Sequence, residues 1–292
     1  MDPATAAMRR FRSMLFAPAV RPDMFAKLPT RGADAVILDL EDAVPVDRKD
    51  EARATVAEAA PGLIAAGCTV FVRVNGADTP WMAADIADAV VPGVTAILLP
   101  KVESADAPNA VAALLRDDVQ VIAGIETALG VADARTSLAH RRVDAAYFGA
   151  EDLIADMGGV RTESNAEVAY ARSYVALAGR LAEVALYDQV TTRFDDDARF
   201  TLEATEARNM GYVGKMCIHP RQVALANAAF SPTPAEVARA QRLVSAYEEG
   251  VAAGLAAIDF EGDMVDEPLA TQARRLLDVA ATHGIEPEEG AP

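Results

Sequence analysis

Charged and amide side chains recur at one kind of place along this chain, directly after short runs of aliphatic and β-branched residues. Asp39, Glu41 and Asp42 end one such run, Arg73 and Asn75 the next, and Lys101 and Glu103 a third. Glu126 with Thr127 and then Glu151 with Asp152 close two more, while Lys215 and His219 mark the last. A single acid at such a point is usually a helix N-cap or a solvated turn residue. A whole set at matching positions points to one shared site.

Glu126 and Asp152 end consecutive runs, so both can face one cavity. Two carboxylates, completed by water and a substrate oxygen, suit Mg2+ at ~2.1 Å, because that ion keeps water and seldom takes a full protein cage. Ordinary salt bridges to a nearby Lys or Arg account for the same pair equally well. Glu41 and Asp42 can join such an ion, orient its waters or cap the following helix, and orientation fits best. Arg73 lies among apolar residues, and a buried guanidinium requires an anion that its planar fork can grip. That anion is a substrate carboxylate, an acid of the chain such as Glu41 or Asp42, or both. Lys101 and Lys215 balance the acids more readily than they meet phosphate. Asp266, ahead of a C-terminal apolar run, reads from its neighbours as a loop acid capping the next helix.

The elements that must position these groups alternate. Strands are expected at Ser13–Ala17, Ala35–Leu40, Val70–Val74, Ala96–Pro100, Val119–Ile125, Ala145–Gly149, Gln189–Phe194 and Val213–Ile218. Several are continuous apolar runs, as in parallel strands buried on both faces. Alanine-rich stretches with helical spacing lie between them, among them Lys49–Ala66, Trp81–Val90 and Ala166–Ala185. The pattern predicts an α/β fold, a closed (β/α)8 TIM barrel whose reactive side chains gather at the strands' C-terminal ends. An open doubly wound sheet is the runner-up, weakened because no strand leads into a GxGxxG or GxxxxGK[ST] loop. After His219-Pro220 the alternation stops. A long helix is expected from Pro234 to about Leu255, then a short segment Ile258–Asp266, then a helix over about Leu269–Ala281 and a frayed tail from His283. The chain therefore divides into a barrel, residues 1–230, and a helical extension, residues 231–292.

With 292 residues, 52% of them hydrophobic, the chain can fill a large core. Its formal net charge of -17 repels phosphate backbones and anionic lipid, which argues against nucleic acid and membranes as partners. Cys68 and Cys217 are too few for a disulfide framework, and no Cys/His cluster has zinc spacing. The basic start, with Arg9, Arg10 and Arg12, is followed by an apolar run that Pro18, Arg21 and Pro22 soon break, so it fails as a signal peptide. The expected compartment is the cytoplasm.

Ordered segments of this chain resemble one known family. They are Arg12–Pro18, Asp34–Val44 with its Leu-Asp-Leu-Glu-Asp core, Val72–Asn75, Leu99–Lys101, Ile125–Thr127, Gly149–Leu153, Lys215–Pro220 and Phe260–Asp266. Together, from about Arg12 to about Leu277, they resemble the HpcH/HpaI aldolase and citrate lyase β-subunit superfamily. The resemblance implies a (β/α)8 barrel whose C-terminal extension carries an active-site lid, in a homotrimer that exchanges lids between subunits. It implies Mg2+, with Mn2+ as the alternative ion, held by Glu126 and Asp152, and Arg73 and Glu126 meeting the substrate. Asp266 matches a lid acid that reaches a neighbouring subunit's active site, which makes it, with Arg73 and Glu41, a candidate catalytic residue. Arg21 and Lys27, just past the first strand, are candidates for the phosphates of coenzyme A; a solvated helix start is their plainer role. One stretch departs from the family pattern: Val190–Phe194 carries Arg193 where an acidic or aliphatic residue is more usual, which alters one wall of the barrel mouth.

The expected activity is that of a carbon–carbon lyase. It would cleave, or form by condensation, a 3-hydroxyacyl-CoA such as malyl-, citramalyl- or β-methylmalyl-CoA, giving an acyl-CoA and a 2-keto acid. Alternatives are a malyl-CoA-type thioesterase, a citrate lyase β subunit acting on an acyl-carrier-protein thioester, and a non-catalytic barrel that binds a metabolite.

Overall fold

Eight short strands pair in chain order, each parallel to the one before, and the last pairs with the first to close a barrel. They are β1 (Ser13–Pro18), β2 (Ala35–Asp39), β3 (Val70–Arg73), β4 (Ala96–Leu99), β5 (Gln120–Ile125), β6 (Ala145–Phe148), β7 (Ala185–Asp188) and β8 (Gly214–Cys217). The computed structural model describes residues 8–288. Helices follow the strands: α1 (Pro22–Phe25), α2 (Lys49–Ala65), α3 (Met82–Ala89), α4 (Asp106–Ala112) and α5 (Ala128–Leu138). Then come α6 (Ala150–Met157) and α7 (Ala166–Ala182), both after β6, with α8 (Asp197–Met210) and α9 (Pro220–Ala229). The expected TIM barrel is the observed fold.

Strand side chains alternate between two cores because successive Cβ atoms point to opposite faces. Met14, Ile37, Phe71, Leu98, Ile122 and Tyr187 fill the barrel interior. Their neighbours Leu15, Leu38, Val72, Ile97 and Val121 pack outward in the layer that includes the helices. This parity decides where each polar strand residue goes. Asp39, Arg73 and Tyr147 stand in step with the interior set, whereas Asp188 and Lys215 are out of step with it and sit behind the barrel wall.

Strand seven is the one element the sequence misplaces. The expected strand Gln189–Phe194 is loop, and β7 occupies Ala185–Asp188 at the end of what reads as a continuous helix. The helix stops at Ala182 because Glu183 turns left-handed, at φ 60°, a stop normally signalled by glycine. The β-branched run beyond β7 is diverted by side-chain bonds: Thr191 Oγ1 donates to Glu203 and the Thr191 carbonyl accepts from Gln222. Arg193 is exposed and lies 4.0 Å from Glu163, so the unusual residue of this stretch faces away from the barrel interior.

Lys215 settles into the role of balancing acids, outside the barrel. Its Nζ donates to Asp188 Oδ2 and to the Gln189 carbonyl at 2.7 Å each, and lies 3.4 Å from Glu203 Oε2. Arg172 of α7 forks onto the same Asp188 carboxylate at 2.8 and 2.9 Å. Glu203 in turn accepts from Asn165, Thr191 and Arg199. Every charge here has a partner, which is the condition for keeping charges out of water.

The chain divides into two compact units, the first ending at Phe230 and the second starting at Ser231. The second unit pairs α10 (Pro234–Ala252) with α11 (Glu267–His283), joined through an antiparallel hairpin of β9 (Ile258–Phe260) and β10 (Asp263–Val265). Leu243, Tyr247, Val265 and Ala270 form its core. Thr233 and Glu236 cap the start of α10 reciprocally. Among the described residues no helix is long and apolar enough to cross a membrane.

Although burial alone would raise it, the Glu203 carboxyl is held down to about 2 by Lys215 and its hydrogen-bond donors. Folding thus lowers its pKa from an ordinary value near 4.5, so the stabilisation is complete above that value and is lost as the pH falls from 4.5 toward 2. Glu203→Gln should cost about 3 kcal/mol at neutral pH, because it breaks a buried pair. Denaturant titrations across this acid range should show the gap between variant and parent closing.

Candidate active site

A cavity of about 420 Å³ opens in the barrel unit. Asp39, Arg73, Glu126 and Asp152 line its polar side, while Phe16 and Met216 are among the apolar residues facing it. The polar residues end β2, β3 and β5 or begin α6, so they gather at the C-terminal ends of the strands, where a parallel barrel presents its reactive groups.

Arg73 is the hub of the cations. Its Nε and Nη2 donate to the two oxygens of Asp39 at 2.7 Å each, and its Nη1 stands 3.0 Å from Glu41 Oε2 and 3.8 Å from Asp42. Burial works against its charge, but Asp39 more than offsets this and holds the guanidinium well above its ordinary range. Its plane also lies 4.9 Å over the Phe16 ring. Both options left open by the sequence are therefore compatible: acids of the chain orient Arg73, and its face toward the cavity remains.

Glu41 does not line that cavity. Its Oε1 accepts from Lys101 Nζ at 3.0 Å, its Oε2 accepts from the Asp42 N–H, and burial pushes its pKa up. The loop that carries it is pinned from below by Lys49, whose buried Nζ donates to the Leu40 and Glu41 carbonyls and to Asn75 Oδ1 at 2.6 to 2.8 Å.

Glu126 is a deeply buried acid of the cavity, 2% exposed. Oε1 accepts from the Lys101 N–H and from the Tyr147 hydroxyl, both at 2.9 Å; among the described residues no hydrogen bond reaches Oε2. Burial, with the charge of Asp152 adding to it, raises its pKa to about 7. Asp152 lies in the first turn of α6, where the helix N-terminus favours an acid, and its Oδ1 is 3.5 Å from Lys101 Nζ. Both acids line one cavity, and their partners are two neutral donors and one lysine. Among the described residues no group of three or more His, Cys, Asp or Glu converges in a ready-made metal cage.

Two glycines make room for this carboxylate. A Cβ on Gly149 would sit 2.5 Å from the Glu126 Cβ and would strike Oε2 as well. A Cβ on Gly124 would sit 2.5 Å from the Tyr147 hydroxyl. Lys101 is the unusual backbone position: its φ of 51° is left-handed, a conformation that costs a side-chain-bearing residue about 1–2 kcal/mol. That turn aims its N–H at Glu126.

The sequence places Asp39 among the strand-end acids without giving it a role, and it does not single out Lys49 or Tyr147. Strand parity could have revealed Asp39 and Tyr147, since each stands two residues beyond an interior position, after Ile37 and Ala145. Nothing in the sequence pointed to Lys49. Arg21 and Lys27 are exposed and do not line the cavity; Arg21 forks onto Asp23 at 2.9 Å. Asp266, in the second unit, holds the N-cap position of α11, yet its side chain makes no capping bond.

A parallel barrel with carboxylates and a guanidinium at its C-terminal mouth defines a class that the comparisons make specific. The chain belongs to the HpcH/HpaI aldolase/citrate lyase family, whose model matches residues 12–220. It is 45% identical over 273 residues to a citrate lyase subunit beta-like protein of Deinococcus radiodurans, covering 91% of this chain and 96% of that one. It is 35% identical over 267 residues to a (3S)-malyl-CoA thioesterase of Cereibacter sphaeroides, covering 91% and 93%. Among solved structures, the CitE protein of Mycobacterium tuberculosis in complex with magnesium, acetoacetate and coenzyme A superposes with a TM-score of 0.78. That match has 33% identity and covers 92% of this chain and 97% of that one.

Gly149→Ala should force Glu126 from its position and destabilise the barrel by about 1–3 kcal/mol, the usual effect of overpacking. Chemical denaturation reads the loss, and a crystal structure of the variant should show the carboxylate displaced.

Proposed function

We propose that this chain is a magnesium-dependent carbon–carbon lyase acting on a 3-hydroxyacyl-CoA of the malyl, citramalyl or β-methylmalyl type. The observation that carries this is the pair Glu126 and Asp152 lining one cavity beside Arg73, with mutual repulsion helping to raise Glu126 to about 7. Two hard carboxylate oxygens in need of positive charge fit Mg2+, or Mn2+ in its place, with water and substrate completing the shell. The relative solved with magnesium, acetoacetate and coenzyme A supports the same ligand set.

When bound, the ion supplies Lewis-acid polarisation of the reacting oxygen. Arg73, oriented by Asp39, grips the carboxylate of the keto acid half with the donors it has left. Glu41 acts as a positioning residue, tied to both Arg73 and Lys101. Splitting the bond between the α and β carbons turns the hydroxyl into the keto group, its proton passing to water, and leaves a thioester enolate, whose carbon must take a proton. Asp266 gives that proton in the cleavage direction and removes it in condensation. In support, its carboxylate is not spent on capping α11. The second unit acts as the lid, reaching the active site of a neighbouring subunit in a homotrimer. Arg21 and Lys27 are exposed cations suited to the coenzyme A phosphates, although a phosphate must compete with Asp23 for Arg21.

A thioesterase outcome is favoured by one finding, the similarity to the malyl-CoA thioesterase of Cereibacter sphaeroides. The two separate in an assay that offers the three hydroxyacyl-CoA substrates with Mg2+ and follows both products. Keto acid and acyl-CoA in equal amounts mark a lyase; free coenzyme A without keto acid marks a thioesterase and overturns the proposal. Glu126→Gln and Asp152→Asn should each abolish Mg2+ binding in calorimetry. Asp266→Ala should bind Mg2+ normally and lose about a hundredfold or more in turnover; normal turnover would remove Asp266 from the mechanism.

A further inference from the structure

One residue meets three acids at or beside the cavity mouth, two through its side chain and one through its backbone. The Lys101 N–H donates to Glu126 Oε1 at 2.9 Å, and its ammonium donates to Glu41 Oε1 at 3.0 Å while lying 3.5 Å from Asp152 Oδ1. The residue does this from a left-handed backbone, φ 51°, where glycine would sit without strain. A left-handed lysine whose ammonium and N–H both meet acids of the site has a geometry that points to a task for its side chain.

The charges explain that task. Among the described residues, Asp39, Glu41 and Asp152 pair with no cations but Arg73 and Lys101, Glu126 pairs with none, and Arg73 is committed to Asp39 and Glu41. Among the described residues, Lys101 therefore supplies the one cation paired with Asp152. Its side chain is 40% exposed and ends on a flexible stem, so it can withdraw from Asp152 without disturbing the fold.

We infer that Lys101 is a resident counter-cation, holding Asp152 in the ion-free protein and yielding it to the divalent ion while keeping Glu41. Its backbone meanwhile positions Glu126. Loading is an exchange, in which the ion takes over the charge on Asp152 that the ammonium had neutralised. The inference rests on the ion site proposed above. It predicts that lysine and ion compete, which is the opposite of a merely supportive role.

Lys101→Met keeps the length of the side chain and the N–H to Glu126 but removes the charge. Titrated calorimetrically with Mg2+ in the absence of any substrate, this variant should bind about three- to tenfold more tightly than the parent. Its melting temperature without Mg2+ should fall, and the rise on adding Mg2+ should be larger than in the parent, since the ion then relieves more repulsion. Lys101→Arg should stay close to the parent. Unchanged or weaker Mg2+ binding by a folded Lys101→Met overturns the exchange while leaving the ion site standing. A Lys101→Met protein that folds only with Mg2+ present supports it. Failure of the parent itself to bind Mg2+ removes the ion site and the inference together, so the two failures are distinct.

Discussion

An ionisable carboxylate out of water must be given donors, cations or a proton, and the cavity mouth is built around giving Glu126 the first two sparingly. Its two hydrogen bonds come from neutral donors, the Tyr147 hydroxyl and the Lys101 N–H, and both reach the same oxygen. That arrangement fixes the group without cancelling its charge, in contrast to Asp39, whose two oxygens are both taken by Arg73. The difference sorts the acids by task. Fully paired ones orient a cation; the under-compensated pair, Glu126 and Asp152, keeps an appetite for positive charge.

The same chain shows what complete compensation looks like. Asp188, Glu203, Arg172 and Lys215 lie behind the barrel wall, bonded to one another and to neighbouring amides and hydroxyls. There Glu203 is driven down to about 2, whereas Glu126 is driven up to about 7. Both acids are almost inaccessible to solvent. Burial pushes both upward, but the outer acid is surrounded by donors and cations that more than offset it, whereas the inner one has few and sits beside another acid that adds to the rise. Glu203 and Gln222 clamp the loop after β7 to α8 and α9, which lets that loop turn without regular structure and places Val190 on the cavity wall.

Much of this was legible beforehand because parallel barrel strands are short, apolar and evenly interleaved with helices. Seven of the eight strands fall within a residue or two of where the apolar runs put them, and the acids and cations follow them at the expected ends. The strand that failed did so for a local reason. Ala185–Tyr187 continues the alanine-rich composition of α7, and the helix stop is a left-handed glutamate that no propensity scale marks. The tempting β-branched run at Val190–Phe194 is claimed instead by side-chain hydrogen bonds from distant positions. Contacts across such separations are invisible to any window along the chain.

The sequence by itself determined the barrel and the inventory of groups at its mouth, because apolar periodicity and strand-end positions are properties of neighbouring residues. Only the tertiary structure decided which groups meet. It turned Asp39 and Tyr147 inward, sent Lys215 out behind the wall and placed Glu41 behind Arg73 instead of on the cavity. It also gave Lys101 the left-handed turn that brings one residue against three acids. Each of these depends on the closure of eight strands into a ring, which sets distances between residues far apart in the chain and assigns every polar side chain to one face or the other.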